Sequence, residues 1–314
     1  MAGISDLKME NIRDVRACFY TGGTWTKNQL SRKTGLSLAG TTNVLKYLLE
    51  RKEILQSGKA ASKAGRKSKQ YILNPDSCHI GIVKILYGRW NHDVEITAMR
   101  LNGECVLSER AGDTLCDSGF LMNMIRILLK EDPLVSVLAI SIPGTDSDGR
   151  IETCDVAALE GVDLGGLIDQ EFDVPYVIEN DVNTACIGFA SDHPGIRNLA
   201  LIYQPEMSLT GCGIMINGSL YHGSRHAAGE IKHMPIKEAN DPVSLMKAQI
   251  EALCAVLNPE MIGWYSDVII GDPDFSARLR LPEQLKCETM KLSDFPQLID
   301  KGLFAIGMNT LVQL

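Results

Sequence analysis

Residues 26–49, TKNQLSRKTGLSLAGTTNVLKYLL, decide how the first quarter of the chain folds. Thr26 is a candidate cap for a helix over 27–34, and Gly35 ends that helix. Ser37 then caps a further helix that carries Val44, Leu45, Leu48 and Leu49 on one side. Upstream, Asn11 to Phe19 holds Ile12, Val15, Cys18 and Phe19 at helical spacing before Tyr20-Thr-Gly-Gly-Thr breaks the pattern. Helix, glycine-bearing turn, helix is the helix-turn-helix unit, whose second helix enters the major groove of DNA.

Beyond Ile54, two short extended runs at 55–61 and 70–73 flank a glycine-bearing basic tip, which predicts a wing. Residues 58–69 contain five Lys/Arg and no acid, a composition suited to phosphates or a minor groove. Ser37, Thr41, Thr42, Asn43 and Lys46 are expected to face outward, where hydroxyls, an amide and an ammonium can meet base edges and phosphates. Arg66, Lys67 and Lys69 are the expected wing contacts. The competing reading of this head is a protein-interaction module.

Charge divides along the chain in the same way. Residues 1–76 carry 14 Lys/Arg against six Asp/Glu, whereas the remainder carries 17 against 33. A basic head on an acidic body fits a chain that meets nucleic acid at one end only. The whole is 314 residues, 45% hydrophobic and 22% charged, which suits globular domains with a sizeable core. No apolar run is long enough for a membrane helix, and the first residues lack a secretory h-region. Nine cysteines without a C-x-x-C pair suggest neither a disulfide framework nor a thiolate zinc site. A cytoplasmic protein, with no membrane partner and no cofactor, is expected.

From residue 80 strands alternate with helices: strands near 80–86, 94–101 and 135–142, helices near 120–129, 164–172 and 182–190, and a second strand set at 199–203, 213–216 and 220–221. The pattern predicts an α/β body of two lobes. Glu179-Asn180-Asp181 follows a strand and precedes a helix, the position where ligands gather in α/β folds. A carboxylate there can accept a hydroxyl's hydrogen bond or act as a general base, although Asp181 alone could be a plain helix cap. Glu230 and His233, three apart, would share one helical face and could bind polyol hydroxyls.

Taken in order, AISIPGTDSDGRI (139–151), LIDQEFDVPYVIENDVNTA (167–185), GIMINGSLYHGSRHAAGEIKHM (213–234) and LNPEMI (257–262) resemble the ROK family of sugar kinases and sugar-responsive repressors. LSRKTGLSLAGTTNVLKYLLERK (30–52) and the GRKSK wing (65–69) are similar to the winged helix of the ROK repressors. The resemblance covers nearly the whole chain. It implies a winged helix-turn-helix at 1–76, a first lobe at 77–195, and a shortened second lobe at 196–314 whose C-terminal helix returns to the first. The body would have the sugar-kinase/actin-like architecture. It also implies that Asp181 occupies the family's catalytic-base position, and that Asn180, Asp181, Glu230 and His233 are sugar-holding positions.

The chain departs from the kinase pattern in four places. Val83 stands where the first phosphate loop carries its Asp, and no acid occurs from 77 to 92. The second phosphate loop reads Met207-Ser-Leu-Thr-Gly-Cys-Gly, two glycines short, and a Cβ obstructs backbone approach to phosphate. No cysteine lies between 212 and 254, so His233 lacks the family's zinc partners. Much of the helical segment that covers adenosine in the kinases is missing. These losses predict a pseudokinase: a DNA-binding regulator of carbohydrate metabolism, a repressor and homodimer, with a sugar or sugar-phosphate effector. The rivals are an active ROK kinase with a DNA-binding head and a ligand-independent DNA-binding scaffold. Sugar-dependent ATP turnover would identify the first, and calorimetric silence toward sugars the second.

Overall fold

A computed structural model describes residues 4–60, 68–88, 90–206, 210–236, 241–271 and 273–314. The head begins with α1 (Ile4–Tyr20), β1 (Trp25–Thr26), α2 (Lys27–Thr34) and α3 (Leu38–Glu50), and closes with β2 (Ile54–Ala60) and β3 (Ser68–Leu73). Each helix boundary has a local cause. Thr26 and Gln29 form a reciprocal capping box at α2, satisfying two amides that have no partner inside the helix. Gly35 ends α2 at φ 73°, a left-handed conformation that is strained for residues with a Cβ. Ser37 caps α3 by accepting from the Gly40 amide.

The three strands form an antiparallel sheet in the order β1-β3-β2. Ile12, Val15, Phe19, Leu30, Leu45, Leu48 and Ile54 make a core of the head's own. Arg16 grips Glu53 through two nitrogens at 2.9 and 3.2 Å, tying α1 to the start of β2.

The body opens with β4 (His79–Leu86), β5 (His92–Arg100), β6 (Cys105–Asp113), α4 (Ser118–Glu131) and β7 (Val135–Ile142). The hairpin β8 (Gly144–Ser147) and β9 (Arg150–Cys154) follows, then α5 (Leu164–Glu171), β10 (Tyr176–Asn180) and α6 (Asp181–Ser191). The sheet order is β10-β7-β4-β5-β6, with β10, β7 and β4 mutually parallel. The second lobe holds β11 (Leu199–Gln204), β12 (Gly211–Ile216), β13 (Ser219–Leu220), α7 (Pro242–Leu257), β14 (Met261–Ser266), α8 (Phe275–Arg278), β15 (Glu288–Lys291) and α9 (Phe295–Gln313). Its sheet runs β13-β12-β11-β14-β15.

α6 and α9 lie between the two sheets. Their shared core takes Ile80, Ile82 and Val137 from one sheet and Leu199, Leu201 and Met261 from the other. The two helices approach backbone to backbone, which glycine alone permits. A Cβ on Gly188 would strike the Leu298 carbonyl, and one on Gly302 would strike that of Thr184. α9 also packs across β4 and β7, with Gly307 against Ile80, and touches α1 of the head. Among the described residues no helix is long and apolar enough to cross a membrane.

Candidate functional site

The parallel strands of both sheets end at one cleft, the position expected for ligands in α/β folds. It encloses about 470 Å³ and is lined by Pro143, Gly144, Asn180 and Asp181 from the first lobe and by Thr210, Gly211 and Glu230 from the second. Tyr203 and Tyr265, on β11 and β14, and Phe295 and Ile299, on α9, form a further wall.

Asn180 is the N-cap of α6. Its Oδ1 accepts from the Val182 and Asn183 amides at 2.9 and 3.0 Å, and its Nδ2 donates to the Gly144 carbonyl at 2.9 Å. That amide is therefore largely engaged in holding the turn after β7 to the start of α6. Asp181 is the first helical residue rather than the cap, and its Oδ1 also accepts from Val182 N at 2.8 Å. Burial, opposed by the Val182 amide and reinforced by the nearby Asp155 and Glu230 carboxylates, pushes its carboxyl up to about 7.

Glu179, at the end of β10, meets His222 at 2.8 Å and so joins the first lobe to the loop after β13. That hydrogen bond, against partial burial of the ring, raises the imidazole above its usual value. Glu230 pairs with Lys232 at 2.7 Å.

The expected Glu230–His233 helical face is not what forms. Residues Ile231–His233 make a single 3₁₀ turn after Glu230; Glu230 lines the cleft, while His233 is exposed and does not. Glu230 lies outside the turn as its N-cap, at φ −70° and ψ 58°, so residues 230 and 233 are not held on one helical face. Among the described residues no three His, Cys, Asp or Glu side chains are arranged to hold a metal ion, so the described surroundings of His233 do not fit the zinc site of the resembled family.

The end of β4, where the resembled kinases carry their first phosphate loop, presents Ile85, Leu86 and Tyr87 to the cleft. Lys84 beside them is buried, with its ammonium 2.7 Å from Asp300 and 3.5 Å from Glu95. Its charge serves the contact between β4 and α9. Sequence reasoning passed over Lys84, Asp155, Tyr203, Asp267 and His222. The signal available for Tyr203 was its place at the end of a strand.

On the head, the exposed face of α3 carries Thr42, Asn43 and Lys46, and Ser37 is exposed at its cap. Thr41 is a correction: it is fully buried, and its hydroxyl donates to the Ser37 carbonyl. The cause is periodicity, since 41, 44, 45 and 48 form the buried stripe of α3. A groove between α2, α3 and β3 is lined by Lys27, Thr42, Lys46, Ser68 and Lys69. Lys69 is exposed, whereas Arg66 and Lys67 lie outside the described residues.

A family model described as "ROK family" matches residues 90–255. The xylose repressor of Bacillus subtilis is 25% identical over 228 residues, spanning 67% of this chain and 56% of that protein. The DNA-binding transcriptional dual regulator NagC of Escherichia coli is 25% identical over 231 residues, or 68% and 54%. The chain thus spans about half the length of the curated relatives it matches. Among solved structures, a ROK family transcriptional regulator homologous to the E. coli MLC protein superposes with a TM-score of 0.71 over 98% of this chain and 100% of that one, at 16% identity. A ROK family glucokinase from Streptomyces griseus, solved with glucose and AMPPNP, reaches 0.56 over 72% of this chain and 98% of its own, at 14% identity. At these identities the likeness is one of fold: a mixed α/β, sugar-kinase-like body. With the family model matching more than half of its length, the chain belongs to the ROK family.

Proposed function

We propose that the protein is a DNA-binding transcriptional repressor of carbohydrate genes, acting as a homodimer, whose body senses a sugar and transfers no phosphate. The observation that carries this reading is the head: a capped helix-turn-helix with Thr42, Asn43 and Lys46 exposed on α3. Beside it lies the groove lined by Lys27, Lys46 and Lys69. Such a face offers hydrogen-bonding groups to base edges and cations to phosphates. The β2–β3 hairpin would be the wing, and two heads would read a two-fold site. The repressor names among the matched relatives agree with this.

Against kinase activity stand Ile85, Leu86 and Tyr87 where phosphate needs open backbone, and the engagement of Lys84 with Asp300. Asp181 would then accept a hydroxyl's hydrogen bond rather than drive an attack. A sugar in the cleft can alter DNA affinity only by preferring one lobe arrangement, with a coupling of about 1–3 kcal/mol. The route available is short: α6 begins at Asp181, α6 is locked to α9, and α9 reaches both the cleft and α1.

Selection of bound fragments from random duplex DNA, followed by fluorescence anisotropy, tests the proposal. A two-fold consensus bound more weakly, or more tightly, when sugar is added is expected. Indifference to duplex DNA at low salt, or ADP release that depends on sugar and disappears in Asp181→Asn, would overturn it.

A further inference from the structure

The cleft's charge says which kind of sugar it accepts, an inference that rests on the effector reading above. Among the described residues six carboxylates line it (Asp155, Glu160, Asp181, Glu206, Glu230 and Asp267) against a single ammonium, that of Lys232. A phosphate monoester carries close to two negative charges and needs cations or free N–H groups. Among the described residues each local source of positive charge is already occupied. Lys232 sits 2.7 Å from Glu230. The buried Lys84 is taken up by Asp300 and Glu95.

The third source is the N-terminus of α6, which points its amides at the cleft as an anion site would. Its Val182 and Asn183 amides are filled by Asn180 Oδ1, and Asp181 places a carboxylate on the same end. Among the described residues no cation lies within ion-pair distance of Asp155, Asp181 or Asp267.

What remains open suits hydroxyls and C–H faces. Carboxylates accept from sugar hydroxyls. On the α9 side the Tyr203 and Phe295 rings stack at 4.1 Å, with Tyr265 5.6 Å from Phe295, while the Tyr203 hydroxyl is turned to Asp267 at 2.9 Å. We propose that the cleft binds an unphosphorylated sugar and rejects the phosphate ester of the same sugar. A sugar phosphate would set its charge among Asp155, Asp181 and Glu230, with no free cation among the described residues to neutralise it.

Isothermal titration calorimetry on the full chain would decide. The probes are a panel of aldopentoses, aldohexoses and N-acetylhexosamines, each beside its own phosphate monoester. At least one free sugar is expected to bind, with its ester weaker by about tenfold or more at low salt. The gap should narrow as salt screens the carboxylates. Asp155→Asn with Glu230→Gln should narrow it further, and the salt series on the native chain decides the matter if that variant fails to fold. An ester that binds as tightly as its sugar, or more tightly, would overturn the inference while leaving the effector reading intact. Silence from both classes, with a cooperative thermal transition showing the chain folded, would overturn the effector reading itself.

Discussion

The groove of the head and the cleft of the body handle charge in opposite ways. In the groove Lys27, Lys46 and Lys69 project from three different elements, and among the described residues only Lys46 has an ion-pair partner, Glu50 at 3.7 Å with both side chains well exposed. Such a surface pair holds little energy and yields readily to a phosphate. In the cleft Lys232 is paired with Glu230 and the nearby Lys84 is buried against Asp300, while Asp155, Asp181 and Asp267 have no ion-pair partner among the described residues. Charges that hold the fold, such as Lys84 with Asp300 or Arg16 with Glu53, are matched within the chain. On the proposed function, the charges left unmatched are those a partner would match. On that reading, the sign left over separates a face for a polyanion from one for a neutral polyol.

Reversing the sign of the groove should break this contrast most severely. Lys46→Glu with Lys69→Glu is expected to weaken binding to any duplex by roughly 100-fold at low salt, and to make the slope of log affinity against log salt shallower by about 2. Anisotropy titrations across a sodium chloride series measure both. An unchanged slope would remove the groove from the DNA contact.

The cleft depends on the close crossing of α6 and α9. Gly302→Ala places a methyl group against the Thr184 carbonyl and should cost about 2–3 kcal/mol, lowering Tm by about 5–10 °C. Scanning calorimetry would show it, and a Tm within a degree of the native value would contradict so tight an approach.

A smaller effect follows from the burial of Asp181, reinforced by the carboxylates beside it. With the folded Asp181 value near 7 and its ordinary value at 3.8, the protonated form is favoured in the folded chain. That contribution is complete below pH 4 and fades as pH rises through 7. Asp181→Asn should therefore stabilise the protein by ~1–2 kcal/mol at pH 8 and change little at pH 4. Denaturant unfolding at the two pH values checks the sign. Equal effects at both would place Asp181 in an open, well-solvated position.

The finest test separates neighbours on α3. Asn43→Ala should weaken binding to the selected operator by about 1 kcal/mol while sparing unrelated DNA. Thr41→Val, at a buried position, should leave both affinities within about twofold. Loss of operator binding in Thr41→Val without loss of stability would return Thr41 to the DNA face.

Local features were legible because their causes lie within a few residues. The caps at Thr26, Gly35 and Ser37 stand where turn and capping chemistry put them. Asp181 stands at the junction of a strand and a helix, as read. Thr41 was misjudged through its polarity, although its spacing from Val44, Leu45 and Leu48 already assigned it to the core. The helix Pro242–Leu257 was passed over, even though Asp241 caps it and Pro242 opens it.

The sequence by itself determined the basic head, the alternation of strands and helices, and the loss of the phosphate-binding pattern, since each is a property of neighbouring residues. Tertiary structure alone decided that Lys84 would meet Asp300, 216 residues away, and that Asp155, Asp181 and Glu230 would crowd together. Those meetings exist because two sheets close around α6 and α9. The ends of strands far apart in the chain then become the walls of one cleft.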